Sequence, residues 1–121
     1  MRTLKNVALA GFFILAAGCG KSTVHWTEQM KSPDSVNRLH AVHALKGRVN
    51  EPNVVIPALM DALKDEDTFI RRDAARALGK FGPDAADAVR PLRILLTDKE
   101  PSVRKAAAQS LKQIDPAVTE S

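Results

Sequence analysis

Apolar residues recur along this chain at intervals of three and four, the spacing that gives an α-helix one apolar face. One such stripe runs from residue 56 to residue 63, and a second runs from residue 70 to residue 81. Between them lies the polar stretch KDED, whose last residue, Asp67, is a typical helix N-cap. This pattern predicts two amphipathic helices joined by a tight polar turn.

The hairpin pattern repeats every 33 residues without a gap. The aligned columns include Trp26/Leu59/Leu92, Met30/Leu63/Leu96, Arg38/Arg71/Arg104, Ala41/Ala74/Ala107 and Leu45/Leu78/Leu111. The copies cover about 23–49, 53–82 and 84–115, which together make one repeat domain over 23–115. Because a single hairpin leaves its apolar stripe uncovered, stacked copies predict an all-α fold, a short α-solenoid of three hairpins.

Helix caps and breaks follow the same repeat. Asp34 takes the N-cap place in the first copy, while in the third Glu100 is a poorer cap, compensated by Pro101 at the first helical position. Pro57 and Pro91 fall within the first helices of their copies and predict bends there. The tail 116–121 is too short to form a capping helix.

The N-terminal segment reads as a targeting signal. Two basic residues precede the apolar run 7–15, and the small residues of AAG then lead to Cys19. This stretch resembles a bacterial lipobox, which implies a signal peptide over 1–18, a lipid-bearing Cys19, a short linker over 19–22 and a place on a membrane of the bacterial cell envelope. An ordinary secretory signal with a chance cysteine is the alternative. The letters Gly-Lys-Ser that follow suggest a phosphate-binding loop, but Leu15 stands where that motif needs glycine.

Charge argues against nucleic acid as a partner. The whole chain has a formal charge of +4. Two of its 18 basic residues lie in the signal segment, which leaves 16 against 14 acidic residues. That surplus is too small to indicate a phosphate-binding protein.

The second and third copies carry a family resemblance. The stretches LMDALKDEDTFIRRDAARALGKFG (59–82) and LRILLTDKEPSVRKAAAQSL (92–111) combine a leucine-rich helix, an Asp-containing turn, Val/Ile-Arg and an Ala-rich helix. They resemble HEAT repeats, in the short form found in phycobilin-lyase-like proteins. The first copy, WTEQMKSPDSVNRLHAVHAL (26–45), departs from the pattern: Ser32 replaces the turn aspartate and Asn37 replaces the Val/Ile.

The resemblance implies a structural role for the repeated arginines Arg38, Arg71 and Arg104. In HEAT repeats this arginine commonly pairs with the turn aspartate. We therefore expect Asp65 to pair with Arg71 and Asp98 with Arg104, a ladder that ties one hairpin to the next and fixes their register.

The second helices of the hairpins are expected to line the concave surface of the solenoid. Their outward positions form a mixed, mildly basic strip with one exposed apolar residue, Leu39. We take this strip as the candidate binding surface; it comprises Leu39, His40, His43, Arg72, Asp73, Arg76, Lys105 and Gln109.

Two residues in the first copy invite a metal interpretation. His40 and His43 lie three apart on one helix, but the sequence offers no third ligand, so we expect two surface histidines and no metal. Trp26 shares a column with leucines and is expected to pack in the core.

For function, these features favour a non-catalytic, membrane-anchored interaction module with an unknown protein partner and no cofactor. The alternative is an accessory or catalytic member of the phycobilin-lyase or iron-hydroxylase-like HEAT group, although the chain has no His-Glu dipeptide. The third hairpin has no following copy, so we expect Leu92, Leu95, Val103 and Leu111 to remain partly uncovered and to promote self-association.

Overall fold

Helices provide the regular secondary structure of the described residues. The structure, a computed structural model, describes residues 20–119, which contain no β-strand. The six α-helices are α1 (Thr23–Gln29), α2 (Ser35–Leu45), α3 (Pro52–Ala62), α4 (Thr68–Gly79), α5 (Val89–Leu95) and α6 (Pro101–Ile114). Two 3-10 segments, Gly82–Ala88 and Pro116–Thr119, flank the last hairpin. The predicted α-solenoid is confirmed.

Side-chain caps start the second helices of the first two hairpins, as predicted. The Asp67 carboxylate accepts hydrogen bonds from the backbone N–H groups of Phe69 and Ile70, at 2.8 and 3.3 Å. Asp34 accepts from Val36 N at 2.9 Å. Glu100 makes no side-chain cap, and α6 instead begins with a proline, whose missing N–H costs nothing at that position.

The third hairpin starts differently from the second. Gly82 adopts a φ of +57°, which favours glycine, and a 3-10 segment with a kink at Ala85 follows it. Helix α5 is therefore only seven residues long, and Pro91 lies in its first turn. Pro91 therefore does not lie in the interior of its helix as predicted, whereas Pro57 does lie inside α3.

The second helices form the more closely packed layer of the stack. Successive second helices, α2, α4 and α6, are in more extensive contact than the first helices of successive hairpins. The core lies between the two layers and contains the leucines of the repeat columns, among them Leu45, Leu59, Leu78, Leu92 and Leu111. Trp26 is partly buried and packs against this core, as expected. We call this closely packed layer of second helices the inner layer.

A glycine allows α4 and α6 to approach closely. An added Cβ at Gly79 would lie 2.8 Å from Ser110 Oγ and 3.1 Å from Ser110 Cα. The Ser110 hydroxyl, buried in this contact, donates a hydrogen bond of 2.5 Å to the carbonyl oxygen of Ala75. The second and third hairpins are therefore joined by a tight and polar helix contact.

The arginine ladder exists, but its predicted pairing is wrong by one repeat. Arg38 binds both carboxylate oxygens of Asp65, through Nε at 2.8 Å and Nη2 at 3.1 Å. Arg71 binds Asp98 in the same way, at 3.0 and 3.2 Å. Each arginine lies in the first turn of a second helix and faces the next hairpin. The turn of the arginine's own hairpin therefore supplies carbonyl oxygens as acceptors, whereas the carboxylate comes from the turn of the following hairpin.

The four leucine and valine side chains expected to be uncovered in the third hairpin are instead buried. Leu92, Leu95, Val103 and Leu111 all contribute to the core, because α5 and α6 cover one another and pack on the second hairpin. The apolar side chains that this hairpin does expose are Ile94 and Leu96.

Candidate functional site

Stacking of the first two hairpins brings a histidine and an aspartate together on the inner face. His43 Nε2, on α2, lies 2.7 Å from Asp73 Oδ2, on α4. Arg72 Nε donates to the other carboxylate oxygen of Asp73 at 2.8 Å, and Arg76 Nη1 lies 3.9 Å from that oxygen. The Asp73 side chain is 13% exposed, whereas that of His43 is 45% exposed. The carboxylate is thus enclosed, and the imidazole faces solvent.

The environment of Asp73 keeps it ionised. Burial raises the pKa of its carboxyl, but hydrogen bonds from Arg72 and His43, together with the charge of both, outweigh that effect. The net result is a pKa below the ordinary value for aspartate. Asp73 is therefore a permanent acceptor that fixes the orientation of the His43 ring.

Two cavities run along the inner face and meet at Arg76 and Lys80. The first measures about 200 Å³ and is lined by His43, Lys46, Arg72, Asp73, Arg76, Ala77 and Lys80. The second measures about 560 Å³ and is lined by Arg76, Lys80, Gln109, Ser110, Lys112 and Gln113. Together they form what we call the inner groove, which crosses all three hairpins. Its walls hold five cationic side chains and one carboxylate that is already paired, so the groove favours an anion.

Most of the predicted binding strip contributes to this groove. His43, Arg72, Asp73 and Arg76 meet at its first cavity, and Gln109 lines the second. Three residues of the strip lie elsewhere. Leu39 is half-buried and packs against the core, so the prediction that it is exposed is wrong. His40 and Lys105 are exposed but line neither cavity.

The groove also contains residues that the sequence analysis missed, namely Lys46, Lys80, Ser110, Lys112 and Gln113. Ser110 is the buried neighbour of Gln109, and the other four each lie one helical turn beyond the predicted strip, at or near the end of a second helix. Extending the same helical phase by three or four residues beyond His43, Arg76 and Gln109 would have found those four.

An aromatic side chain adjoins the inner groove. The Arg72 guanidinium lies over the Phe69 ring, with Cζ 5.1 Å from the ring centroid. Phe69 is exposed and occupies the start of α4. The cationic groove therefore has an apolar shoulder at one edge.

The outer face carries two further grooves, which we consider weaker candidates. One, of about 340 Å³ between α1 and α3, includes Arg38 and Asp65, which already form an ion pair with each other. The other, of about 460 Å³, is lined on its polar side by Asp61, Asp84 and Asp87. Neither groove combines unpaired cations with a titratable group.

Several predictions concern sites outside this face. Within residues 20–119, no three His, Cys, Asp or Glu side chains come close enough to hold a metal ion. In that same range, no helix is both long and apolar enough to cross a bilayer. Cys19 and the segment before it lie outside the described residues.

Comparison with known protein families identifies the repeat. The family model described as HEAT repeats matches residues 23–112, which is most of the chain. This match covers all six α-helices except the last residues of α6.

Two individual proteins are similar to this chain in sequence. The bilin biosynthesis protein MpeU of Synechococcus sp. (strain WH8020) is 31% identical over 113 residues, covering 90% of this chain and 38% of that protein. The uncharacterized protein SkfG of Bacillus subtilis (strain 168) is 36% identical over 80 residues, covering 66% of this chain and 46% of that protein. The chain thus spans less than half the length of these relatives.

A solved structure shares the fold. It is the complex of CpcE and CpcF of phycocyanin lyase from Nostoc sp. PCC7120. A chain of that complex superimposes with a TM-score of 0.72 and 31% identity, over 84% of this chain and 42% of its own length.

These matches contradict the prediction of a non-catalytic protein, because a phycocyanin lyase and a bilin biosynthesis protein are among them. The prediction rested on the absence of a catalytic motif in the sequence. His43 and Asp73 are 30 residues apart and come into contact only because two repeats stack. A search for local sequence motifs therefore cannot find the pair.

Proposed function

Because this chain belongs to the HEAT-repeat family, we propose that it takes part in a lyase-type reaction, as a member of the phycobilin-lyase-like group of HEAT proteins. The substrate class is an anionic, conjugated ligand such as a bilin, held in the inner groove. The observation that carries this proposal is the continuous cationic groove with the His43–Asp73 pair at one end.

The groove suits the chemistry of a bilin. A bilin is an open-chain tetrapyrrole that combines an extended apolar framework with carboxylate side chains. Arginine binds carboxylates through two parallel hydrogen bonds, and lysine binds them as a point charge. Arg76, Lys80 and Lys112 are exposed along the groove and supply both kinds of contact. The exposed ring of Phe69 offers apolar surface to the framework.

The His43–Asp73 pair supplies a proton-transfer group. In attachment, a thiol sulfur of the acceptor protein bonds to one carbon of a conjugated double bond and loses its proton, while one proton is added elsewhere on the conjugated system. Removal reverses both changes: the carbon–sulfur bond breaks, the sulfur regains a proton and the conjugated system loses one. Asp73 engages Nε2 of His43, which leaves Nδ1 as the nitrogen that exchanges this proton with the ligand. The ionised carboxylate stabilises the imidazolium that forms when His43 takes up a proton. His43 is therefore the proposed general acid and base, and Asp73 its positioning residue.

The lyase proposal is tested with His43→Gln, using His40→Gln as the matched control on the same helix. With a free bilin and apo-phycocyanin as test substrates, the full chain is expected to accelerate covalent attachment or removal, followed by absorbance and mass spectrometry. Loss of the proton-transfer group is expected to lower the rate roughly a hundredfold. His40→Gln should match the wild type. A His43→Gln protein as fast as the wild type, or a wild type without effect on the reaction, would reject the proposal.

A second protein is part of this proposal. The chain spans less than half of MpeU and of the matched chain in the phycocyanin lyase complex. That complex contains two different proteins, CpcE and CpcF. We propose that this chain likewise acts together with a protein partner, which completes the surface around the groove.

The N-terminal segment supports a separate proposal about location. The basic start, the apolar run 7–15 and the small residues before Cys19 support a lipid anchor on that cysteine, at a membrane of the cell envelope. Cys19→Ser is expected to yield an unprocessed precursor or a protein released from the membrane, as judged by fractionation and by the mass of the N-terminal peptide. A Cys19→Ser protein that stays at the membrane with the mature mass would show that no lipid is attached there.

A further inference from the structure

Among the described residues, one member of the arginine ladder, Arg104, has no carboxylate partner. Arg104 occupies the column of Arg38 and Arg71, and its Nη1 donates to Asp98 O at 2.7 Å, as Arg71 Nη1 does to Asp65 O. Arg38 and Arg71 use Nε and Nη2 to bind the aspartate of the next hairpin. For Arg104, residues 20–119 provide no such carboxylate.

The surface around Arg104 is shaped like a contact between hairpins. Leu96 is 39% exposed, whereas Leu63, its counterpart one repeat earlier, is 2% exposed under the third hairpin. Ala108 is likewise half-exposed, while its counterpart Ala75 is completely buried. We call Leu96, Arg104 and Ala108 the end face. The same three columns are covered by a hairpin one repeat earlier.

We infer that the end face docks a HEAT-type hairpin from another protein, whose turn presents an aspartate to Nε and Nη2 of Arg104. The chain itself shows this recognition twice. The carboxylates of Asp65 and Asp98 each accept hydrogen bonds from an arginine of the preceding hairpin and from a backbone N–H of their own turn. The contact joins two charge-assisted hydrogen bonds to the burial of a leucine, which gives both affinity and register.

The partner is a different chain, because the first hairpin of this one lacks the required charge. Ser32 stands in the aspartate column, and its Oγ accepts from Asp34 N at 3.1 Å. Asp65 Oδ1 accepts from Asp67 N at 2.9 Å in the equivalent way. The first turn therefore forms the same backbone contact without a carboxylate. A second copy stacked head to tail would leave Arg104 unpaired, so this inference replaces the expected self-association.

This inference deepens the proposed function, from which it takes the participation of a second protein. It concerns a surface distinct from the inner groove. If His43→Gln slows the lyase reaction as expected but the end face binds no hairpin, only the inference about the end face is rejected. If the end face binds a hairpin but His43→Gln reacts as fast as the wild type, only the groove chemistry is rejected.

The experiment uses this chain as its own probe. In the full-length Ser32→Asp protein, a carboxylate is introduced into the first turn, where the side chain of residue 32 already accepts a hydrogen bond from Asp34 N. Ser32→Asn is the uncharged control. Immobilised wild-type chain is expected to bind the Ser32→Asp probe at least about tenfold more tightly than it binds wild type or the Ser32→Asn probe. Arg104→Ala in the immobilised chain should remove that gain, while Arg76→Ala should retain it.

Other outcomes would overturn the inference. Equal binding of wild type and Ser32→Asp would identify a second copy as the occupant of the end face. Equal binding of Ser32→Asn and Ser32→Asp, or full binding to Arg104→Ala, would show that the ladder charge does not recognise the probe. Absence of binding by the Ser32→Asp probe would show that the end face does not accept a hairpin.

Discussion

Leu78→Asp is expected to unfold the domain. Leu78 is completely buried in the centre of the core, within the second helix of the middle hairpin. An unpaired carboxylate there costs several kcal/mol or forces the group to take up a proton, and the lost leucine contacts add to this. A domain of this size has a total stability of about 5–15 kcal/mol. The variant should therefore lose its cooperative thermal transition.

The matched control for Leu78→Asp is Arg76→Ala, two residues earlier on the same helix. Arg76 is exposed, and its 3.9 Å approach to Asp73 is a weak surface contact. We expect its removal to change stability by no more than about 0.5 kcal/mol. Circular dichroism melting curves compare the two variants, and equal melting temperatures would contradict the assignment of buried and outward positions on α4.

Arg71→Ala is expected to destabilise the domain by about 3–5 kcal/mol, since it removes one partner of a largely buried ion pair. Each side chain of the Arg71–Asp98 pair is only 9% exposed. Its loss also leaves the turn carbonyls of Asp65 and Glu66 without their donor. Arg104→Ala, in the same column, removes only a hydrogen bond to a carbonyl and should cost about 1 kcal/mol. Urea unfolding of both variants measures the difference, and similar losses would show that the aspartate contact contributes nothing.

The stability that the Arg71–Asp98 pair contributes is expected to depend on pH. Burial raises the pKa of the Asp98 carboxyl, but hydrogen bonds from Arg71 and from the backbone N–H of Glu100 outweigh it, so the pKa lies below its ordinary value. A lowered folded-state pKa stabilises the protein above the unfolded-state value, near 3.9, and this stabilisation disappears as the pH falls through the folded-state pKa. The stability difference between wild type and Arg71→Ala is therefore expected to be complete at neutral pH and to shrink below about pH 4.

The fold was predictable because the same local signals recur three times at one spacing. Leu45, Leu78 and Leu111 are buried in all three copies, and the caps at Asp34 and Asp67 form where the turn pattern places them. Pro91 was misread because Gly82 delays the start of the next α-helix, which moves this proline into the first turn.

Contacts between repeats were much harder to predict. The sequence identifies Arg71 and Asp98 as members of repeated columns, but the stacking direction decides which arginine meets which aspartate. The same holds for His43 and Asp73, which belong to different repeats and to different columns. The cationic residues beyond the strip, such as Lys80 and Lys112, were missed because they lie where helices end and periodicity weakens.

The central claim is that the inner groove holds an anionic ligand of the bilin class, and titration of a free bilin into the full chain, followed by absorbance, tests it most directly. Arg76→Ala/Lys80→Ala removes two charges shared by both cavities, and Arg90→Ala/Arg93→Ala removes two exposed charges from α5 outside the groove. We expect the groove variant to bind at least about tenfold more weakly and the control to bind like the wild type. Equal affinities for the two double variants would contradict the assignment of the inner groove as the ligand site.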